Sequence, residues 1–454
     1  MPLPLLIPEN TMRVHPSKFD VPATSRRSFL KEFAAGLIAS PLAARDLRAQ
    51  QEPPAQVPVA REVFVKSPGK GTAVMAFAYD TQAKGGSLVS IEQRWSRSDT
   101  IDVAYYRWSR DNGRTWTDPV RRSTGEKHPS GMLRRHPRGG YVDAGTGRFL
   151  EIWIEGILPS DDPLEGMRQW NIYYALSKDG GRTRGKVHQV IHEGREFNAQ
   201  HPLPGVFTGK NAVMIGDNPS RPINLRDGSI LLPVQISPLG ADGRLSNPGG
   251  GYTYTDAAIL HGRWKGDKLV WSSSERIVGD PERSTRGMDE PTIATLRDGR
   301  IISVMRGSND KKYHLPSYRW VSFSSDGGWK WSKPEPWTYT DGKPFYSPSA
   351  CSQLLQHSNG KLYWLGNINQ SNPRGNRPRY PFYIAPVDLQ SGLLQREGLR
   401  LVDDRMTGDD ELLTLSNFYA REDSESHEIL LHMTRLFAFP DGWVGDALLY
   451  RIPV

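Results

Sequence analysis

Ser109-Arg110-Asp111-Asn112-Gly113-Arg114-Thr115-Trp116 returns twice along the chain. It recurs as Ser177-Lys178-Asp179-Gly180-Gly181-Arg182-Thr183 and as Ser324-Ser325-Asp326-Gly327-Gly328-Trp329-Lys330-Trp331. The shared frame is S-x-D-x-G, with Trp three residues after the Gly in two of the three copies. Gly adopts the positive φ that a tight hairpin requires. Ser and Asp side chains hydrogen-bond turn backbone, and a Trp at the end can tuck a large apolar ring between neighbouring sheets. The pattern therefore predicts hairpins between strands and says nothing by itself about catalysis.

The spacing sets the unit. Ser109 to Ser177 is 68 residues and Ser177 to Ser324 is 147, close to two such units, and Gly262-Arg263-Trp264-Lys265-Gly266-Asp267-Lys268-Leu269-Val270-Trp271 reads as a degenerate copy between them. Residues 59–454 hold the unit about six times, each the size of a four-stranded blade, which predicts an all-β, six-bladed β-propeller. Seven shorter blades and a two-sheet sandwich are the alternatives, because short strands alone do not dictate closure. A second repeat supports blades: Leu225–Val234, Leu296–Val304 and Ser358–Trp364 each carry a D-G or N-G turn running into a strand, the strongest short hairpin signal. The last strand, within Ala447–Val454, is expected to close the ring beside early strands.

Composition agrees. The 454 residues include 44 Gly, 35 Pro and 13 Trp, which suits many short strands joined by turns rather than long helices. The 58 Lys and Arg exceed the 50 Asp and Glu by +8, without a basic block. Nucleic acid is therefore not an expected partner, while a local positive pocket for an anionic ligand stays open. The single cysteine, Cys351, rules out an internal disulfide and reads as a buried structural thiol in a strand. No H-E-x-x-H, Cys/His cluster, EF-hand loop, P-loop or dinucleotide fingerprint occurs, so neither a metal nor a cofactor is expected.

Residues 1–49 read as a leader and 50–58 as a Pro/Gln-rich linker. Ser25-Arg26-Arg27-Ser28-Phe29-Leu30-Lys31 resembles the twin-arginine export signal, and the apolar run Phe33 to Ala44 after it is too short for a bilayer anchor. Cleavage is expected after Ala44 or Ala49, translation starts at Met1 or Met12, and the product is periplasmic or secreted. No other run approaches membrane length.

The S-x-D-x-G repeats resemble the Asp-box of sialidases, and the order of residues 60–454 resembles the six-bladed exo-sialidases. The resemblance implies three arginines that clamp a sugar carboxylate, a Tyr–Glu nucleophile pair and an Asp acid/base, an exception to the usual two-carboxylate scheme. Gly287-Met288-Asp289-Glu290-Pro291, followed by a hairpin and Val304-Met305-Arg306, matches the family's Glu and one clamp arginine. Antiparallel pairing would bring Glu290 and Arg306 to the same end of a blade. Arg379, at the end of Ser371–Arg379, is the second clamp candidate, with Arg377 in reserve. Arg61, about ten residues before Gly71-Thr72, is the third, although the family's Ile-Pro is missing. Asp99, ten residues before Ser109, stands where the family places its acid/base, with Asp102 as runner-up and Arg94 or Arg97 as the nearby site arginine. Arg134-Arg135-His136-Pro137 falls where the family has an Asp-Pro step in a substrate-contacting loop, so His136 is a further substrate-binding candidate. The nucleophile departs from the pattern: counting places Ser416 or Leu412 at the Tyr position, and Tyr419 is the nearest phenol.

The expectation is thus an exo-sialidase-like glycoside hydrolase acting on an acidic glycan, with configuration retained through a glycosyl-enzyme intermediate. Two rivals remain: a lyase or hydrolase for a uronic-acid-containing polysaccharide, with His136 or Tyr419 as base, and a non-catalytic carbohydrate-binding propeller.

Overall fold

A computed structural model describes residues 59–162 and 169–454; the leader and linker lie outside the described residues. Six antiparallel sheets form a six-bladed β-propeller. The first blade runs through Ala73–Asp80, Leu88–Trp95, Val103–Ser109 and Val120–Arg122. The second spans 125–189, the third 213–273, the fourth 289–336 and the fifth 353–403. The sixth uses Phe418–Glu422, Ile429–Thr434 and Ala447–Ile452, and its outermost strand is Ala60–Val65 from the start of the described chain. Arg61 stands opposite Tyr450 in that ladder, so the ring is closed by strands from its two ends, as expected.

The three D-G and N-G turns join the inner hairpins of the third, fourth and fifth blades. Each S-x-D-x-G segment follows the third strand of its blade. In all three the Ser hydroxyl donates to the Asp carboxylate at 2.7–2.8 Å and accepts the amide of the second turn residue after it at 2.8 Å. The Asp in turn accepts the amide four residues on at 2.9 Å. These bonds hold the carboxyls of Asp111 and Asp179 down at about 2. Thr115 is the main cause for the first; for the second, burial acts the other way and the amide and hydroxyl of Thr183 with Ser177 outweigh it.

Each such turn is also latched to the preceding blade. Asn112 Nδ2 donates to Asp423 Oδ1 in the sixth blade at 2.8 Å. Trp108 Nε1 of the first blade donates to the Gly180 carbonyl at 2.8 Å. His261 of the third blade stacks on Trp329 with ring centroids 3.6 Å apart and contacts the Gly328 carbonyl. Between blades the core lies in layers: Leu232, Leu260 and Trp271 meet Ile154 and Trp170, and Trp337 meets Trp364 edge-on at 5.7 Å. Truncating a buried Trp of this kind costs about 3–5 kcal/mol.

Because neighbouring strands are antiparallel, loops after the second strand of a blade emerge at one end of the ring. Hairpins after the first and third strands emerge at the other. The first end carries the loop Ser96–Asp102; the second carries every S-x-D-x-G turn. Among the described residues no helix is long and apolar enough to cross a membrane.

Candidate functional site

The first end of the ring opens into a cavity of about 590 Å³. Six arginines line it, Arg138, Arg286, Arg306, Arg374, Arg377 and Arg379, against four carboxylates, Asp99, Asp217, Glu290 and Asp310. The excess of guanidinium gives the lining the chemistry that suits an anion, since planar N–H forks match carboxylate oxygens.

Its centre is Glu290 with Arg306. Asp289 pairs with Arg306 across the first hairpin of the fourth blade, and the register shifts between Asp289 and Thr292. That irregularity holds Glu290 at φ 46° and turns its side chain into the cavity. Gly216 makes the space, because a Cβ there would lie 2.4 Å from Glu290 Cγ. Arg306 Nη1 reaches Glu290 Oε1 at 2.8 Å and its Nε donates to Ser349 Oγ at 2.7 Å. Burial would raise the Glu290 pKa, but Arg306 first, then Arg379 and Arg286, hold it below the usual carboxylate range. Glu290 is thus ionised, and its Oε2 is buried with no protein hydrogen-bond partner.

Arg379 sits just before the strand Phe382–Val387 and donates to Ser416 Oγ at 3.1 Å and to the Ser349 carbonyl at 3.0 Å. Burial and the like charge of Arg306 pull its pKa down to about 10. It remains charged at neutral pH while bonded to neutral groups. Arg138, which sequence reasoning missed, is a second such cation. It lies on the inner long strand of the second blade, 6% exposed, and donates to the carbonyls of Ile215 and Gly216 at 3.2 Å. Burial lowers its pKa, with Asp217, Tyr79 and Glu290 opposing. The signal in the sequence was Arg138-Gly139-Gly140: a Cβ at Gly139, whose φ is +90°, would lie 2.3 Å from the Tyr79 ring, so the strand is pressed against its neighbour there.

Asp217 was also missed. Burial raises its pKa, Arg138 opposes and Glu290 adds to the rise. Two carboxylates of one cavity are therefore pushed in opposite directions, Glu290 down and Asp217 up, a signature of functional sites. A further sign is backbone strain. Of nine non-glycine residues with positive φ among the described residues, Asp99, Asn211, Glu290 and Phe437 line this cavity. Such conformations cost about 1–3 kcal/mol each and gather at active sites.

Asp99, Glu290, Arg306, Arg379 and His136 are brought together as cavity lining. Asp99 stands exposed at the rim, φ 52°, accepting from Ser98 Oγ at 2.9 Å. His136 is in a strand, not the loop expected for it: Gly131–Val142 is continuous, and the imidazole is buried between Trp170 and Trp95. Arg377 and Arg374 are exposed at the rim.

Three expectations are corrected. Arg61 lies on the outermost strand of the sixth blade, where Nη1 reaches Asp403 Oδ2 at 3.4 Å, away from the cavity. Arg94 alternates with the inward Gln93 and Trp95, so its guanidinium turns to the opposite sheet face, onto Glu92 at 2.8 Å and over the Tyr105 ring. Tyr419 packs on Tyr79 with centroids 4.6 Å apart, in the core between the sixth and first blades. Burial raises its pKa, and it does not reach the cavity. Ser416, the counted position, does line it, whereas Leu412 is exposed outside. The phenols in the lining are Tyr252 and Tyr313, both exposed. Cys351 also borders the cavity as a buried thiol that donates to the Ser416 carbonyl, its pKa raised by burial. Among the described residues no group of His, Cys, Asp and Glu could hold a metal ion.

Residues 159–417 match the family described as BNR repeat-like domain. No curated protein matches the chain. Among solved structures, a protein of unknown function from Dyadobacter fermentans superposes with TM-score 0.57 at 14% identity, over 87% of this chain and 99% of that one. The Trypanosoma rangeli sialidase bound to the inhibitor DANA gives 0.53 at 14% identity, over 87% of this chain and 60% of its own. The NanB sialidase of Streptococcus pneumoniae gives 0.55 at 12%, over 87% and 70%. At these identities the likeness establishes the sialidase fold alone. With more than half of its length matched, the chain belongs to the BNR repeat-like domain family.

Proposed function

We propose that the chain is an exported exo-glycoside hydrolase that removes a terminal sialic acid or a related acidic sugar from glycans. The observation that carries this is the cavity floor, where buried Arg138 and Arg306 and half-buried Arg379 surround ionised Glu290 with Asp99 at the rim. The sugar carboxylate lies on Arg379 and Arg138, which have no carboxylate bonded to them. Asp99 protonates the glycosidic oxygen as the C–O bond breaks.

One step departs from the retaining scheme that the resemblance implied. With Tyr419 in the core, the phenol expected to attack lies outside the cavity. Glu290 Oε2 is unpartnered and buried, so it takes the proton of a water that adds to the anomeric carbon, and the configuration inverts. Export rests on the twin-arginine-like segment Ser25–Lys31. The uronic-acid reading shares the same arginines and is favoured by that missing phenol.

The test is release of the aryl group from an aryl α-sialoside and an aryl β-glucuronide by purified residues 50–454. Proton NMR then identifies the anomer formed first. Sialoside cleavage with inversion supports the reading, and retention removes the water step. Cleavage of the glucuronide alone moves the substrate to uronates. No turnover of either, with no thermal stabilisation by the free acids, refutes the acidic-sugar site.

A further inference from the structure

The opposite end of the ring carries a second concavity, about 740 Å³, between the second and third blades. Its walls are the S-x-D-x-G turn at Ser177, the segment leading into Val187–Gln189, and the Lys265–Lys268 hairpin. The basic lining is Lys178, Lys186, Lys265 and Lys268 with Arg148, Arg184 and His188, against the single carboxylate Asp267. The arginines are already engaged. Arg148 pairs with Asp267 at 3.1 Å, and Arg184 holds buried Glu151 through two bonds of 2.7 and 2.5 Å. The four lysines are exposed, and their ammonium groups form no ion pair or hydrogen bond among the described residues. Their convergence is felt at His188, whose imidazole is kept below its ordinary pKa by burial and then by Lys186 and Lys268.

We propose that this groove binds a sulfated or carboxylated polysaccharide chain and tethers the protein to it, leaving the arginine cavity free on the opposite end. Four ammonium groups around one concavity raise the local concentration of a polyanion and release its counter-ions on contact. Lysines on flexible stems accept any oxyanion and demand no planar partner, which suits the irregular charge pattern of such glycans. Nucleic acid is disfavoured because its single strands are held by exposed aromatic platforms. The groove's own arginines instead cover tryptophan rings, Arg148 over Trp264 at 4.4 Å and Arg184 over Trp153 at 4.9 Å. The site stands independently of the reading given to the arginine cavity.

The test is retardation of the folded protein in native gels cast with heparin, chondroitin sulfate or neutral dextran. Retardation is expected in the first two and absent in dextran. A variant with Lys178, Lys186, Lys265 and Lys268 changed to Ser should lose at least about tenfold in apparent affinity, and the wild-type interaction should weaken steeply with salt. A charge-matched control with exposed Lys66, Lys84, Lys333 and Lys361 changed to Ser should stay within about twofold. Thermal unfolding checks that both variants fold, and the single variants Lys186→Glu and Lys268→Glu serve where the quadruple does not. Equal loss in variant and control would reduce the effect to net charge and overturn the site. Tighter retention of duplex DNA, lost in the same variant, would overturn the polysaccharide assignment.

Discussion

Arg379→Met separates a ligand clamp from a structural strut. In the folded chain the guanidinium bonds only to Ser416 Oγ and the Ser349 carbonyl, and its Nε has no partner. Its pKa is lowered to about 10, so the fold holds the charged form at a cost on the order of 3 kcal/mol. Because it is the charged form of a base that is disfavoured, the cost applies at every pH below about 10 and fades only as pH rises through that value. The two lost hydrogen bonds offset part of the relief, at about 0.5–1.5 kcal/mol each. The variant is therefore expected to be as stable as the parent or more stable by about 1 kcal/mol. A substrate carboxylate, by contrast, loses a charge-assisted bond worth about 1.5–3 kcal/mol, or about 10- to 150-fold in kcat/KM. The assay compares thermal unfolding with turnover of a carboxylated substrate and of its methyl ester. A selective loss on the acid, with Tm unchanged or higher, is the expected result. A fall in Tm with equal loss on acid and ester would refute the clamp and make Arg379 a strut.

Four more outcomes follow from the same geometry. Affinity for an acidic sugar should decline as pH rises through the raised pKa of Asp217, because its ionisation puts negative charge beside the ligand; Asp217→Asn should flatten that limb in a calorimetric titration. Asp179, held at about 2 in the fold, contributes stability that is full above the ordinary Asp pKa and lost as pH falls through about 2. Asp179→Asn should therefore lower Tm by about 1–2 °C at pH 6 and by less near pH 2, read by circular dichroism. Tyr419→Phe should leave turnover within about twofold, whereas Tyr419→Ala should cost about 3–5 kcal/mol in denaturant unfolding as the Tyr79 contact is emptied. Glu151→Gln, 2% exposed and bonded to Arg122, Arg184 and the Tyr106 hydroxyl, should cost about 3–5 kcal/mol by leaving two guanidiniums without a counter-charge.

The propeller was legible because its punctuation is local. S-x-D-x-G and D-G turns carry their own hydrogen bonds and positive-φ glycines, so a few residues announce each hairpin and spacing counts the blades. Asp99, Glu290, Arg306 and Arg379, proposed from the resemblance to the exo-sialidases, come together as lining of one cavity. Arg94 and Tyr419 were misplaced for a geometric reason. Distance along a strand does not say which face a side chain takes, and one step separates Arg94 from the cavity-lining Trp95. Arg61 failed because its strand is the outermost of the sixth blade, the place that the expected closure gives it, away from the cavity. Arg138 and Asp217 were invisible because only the convergence of inner strands makes them neighbours of Glu290.

Ring closure also has a consequence in time. The strand Ala60–Val65 pairs with Ala447–Ile452, so it leaves the ribosome long before its partner does. About 390 residues separate Arg61 from Tyr450, and synthesis at about 5–20 residues per second imposes a delay of roughly 20–80 s. Throughout that interval Ala60–Val65 has no ladder at all, and once Ile429–Thr434 emerges its edge stays open until Ala447–Ile452 follows. Unpaired edges of this kind recruit other chains. A messenger truncated before Ala447 would leave them unpaired permanently, and its product should aggregate.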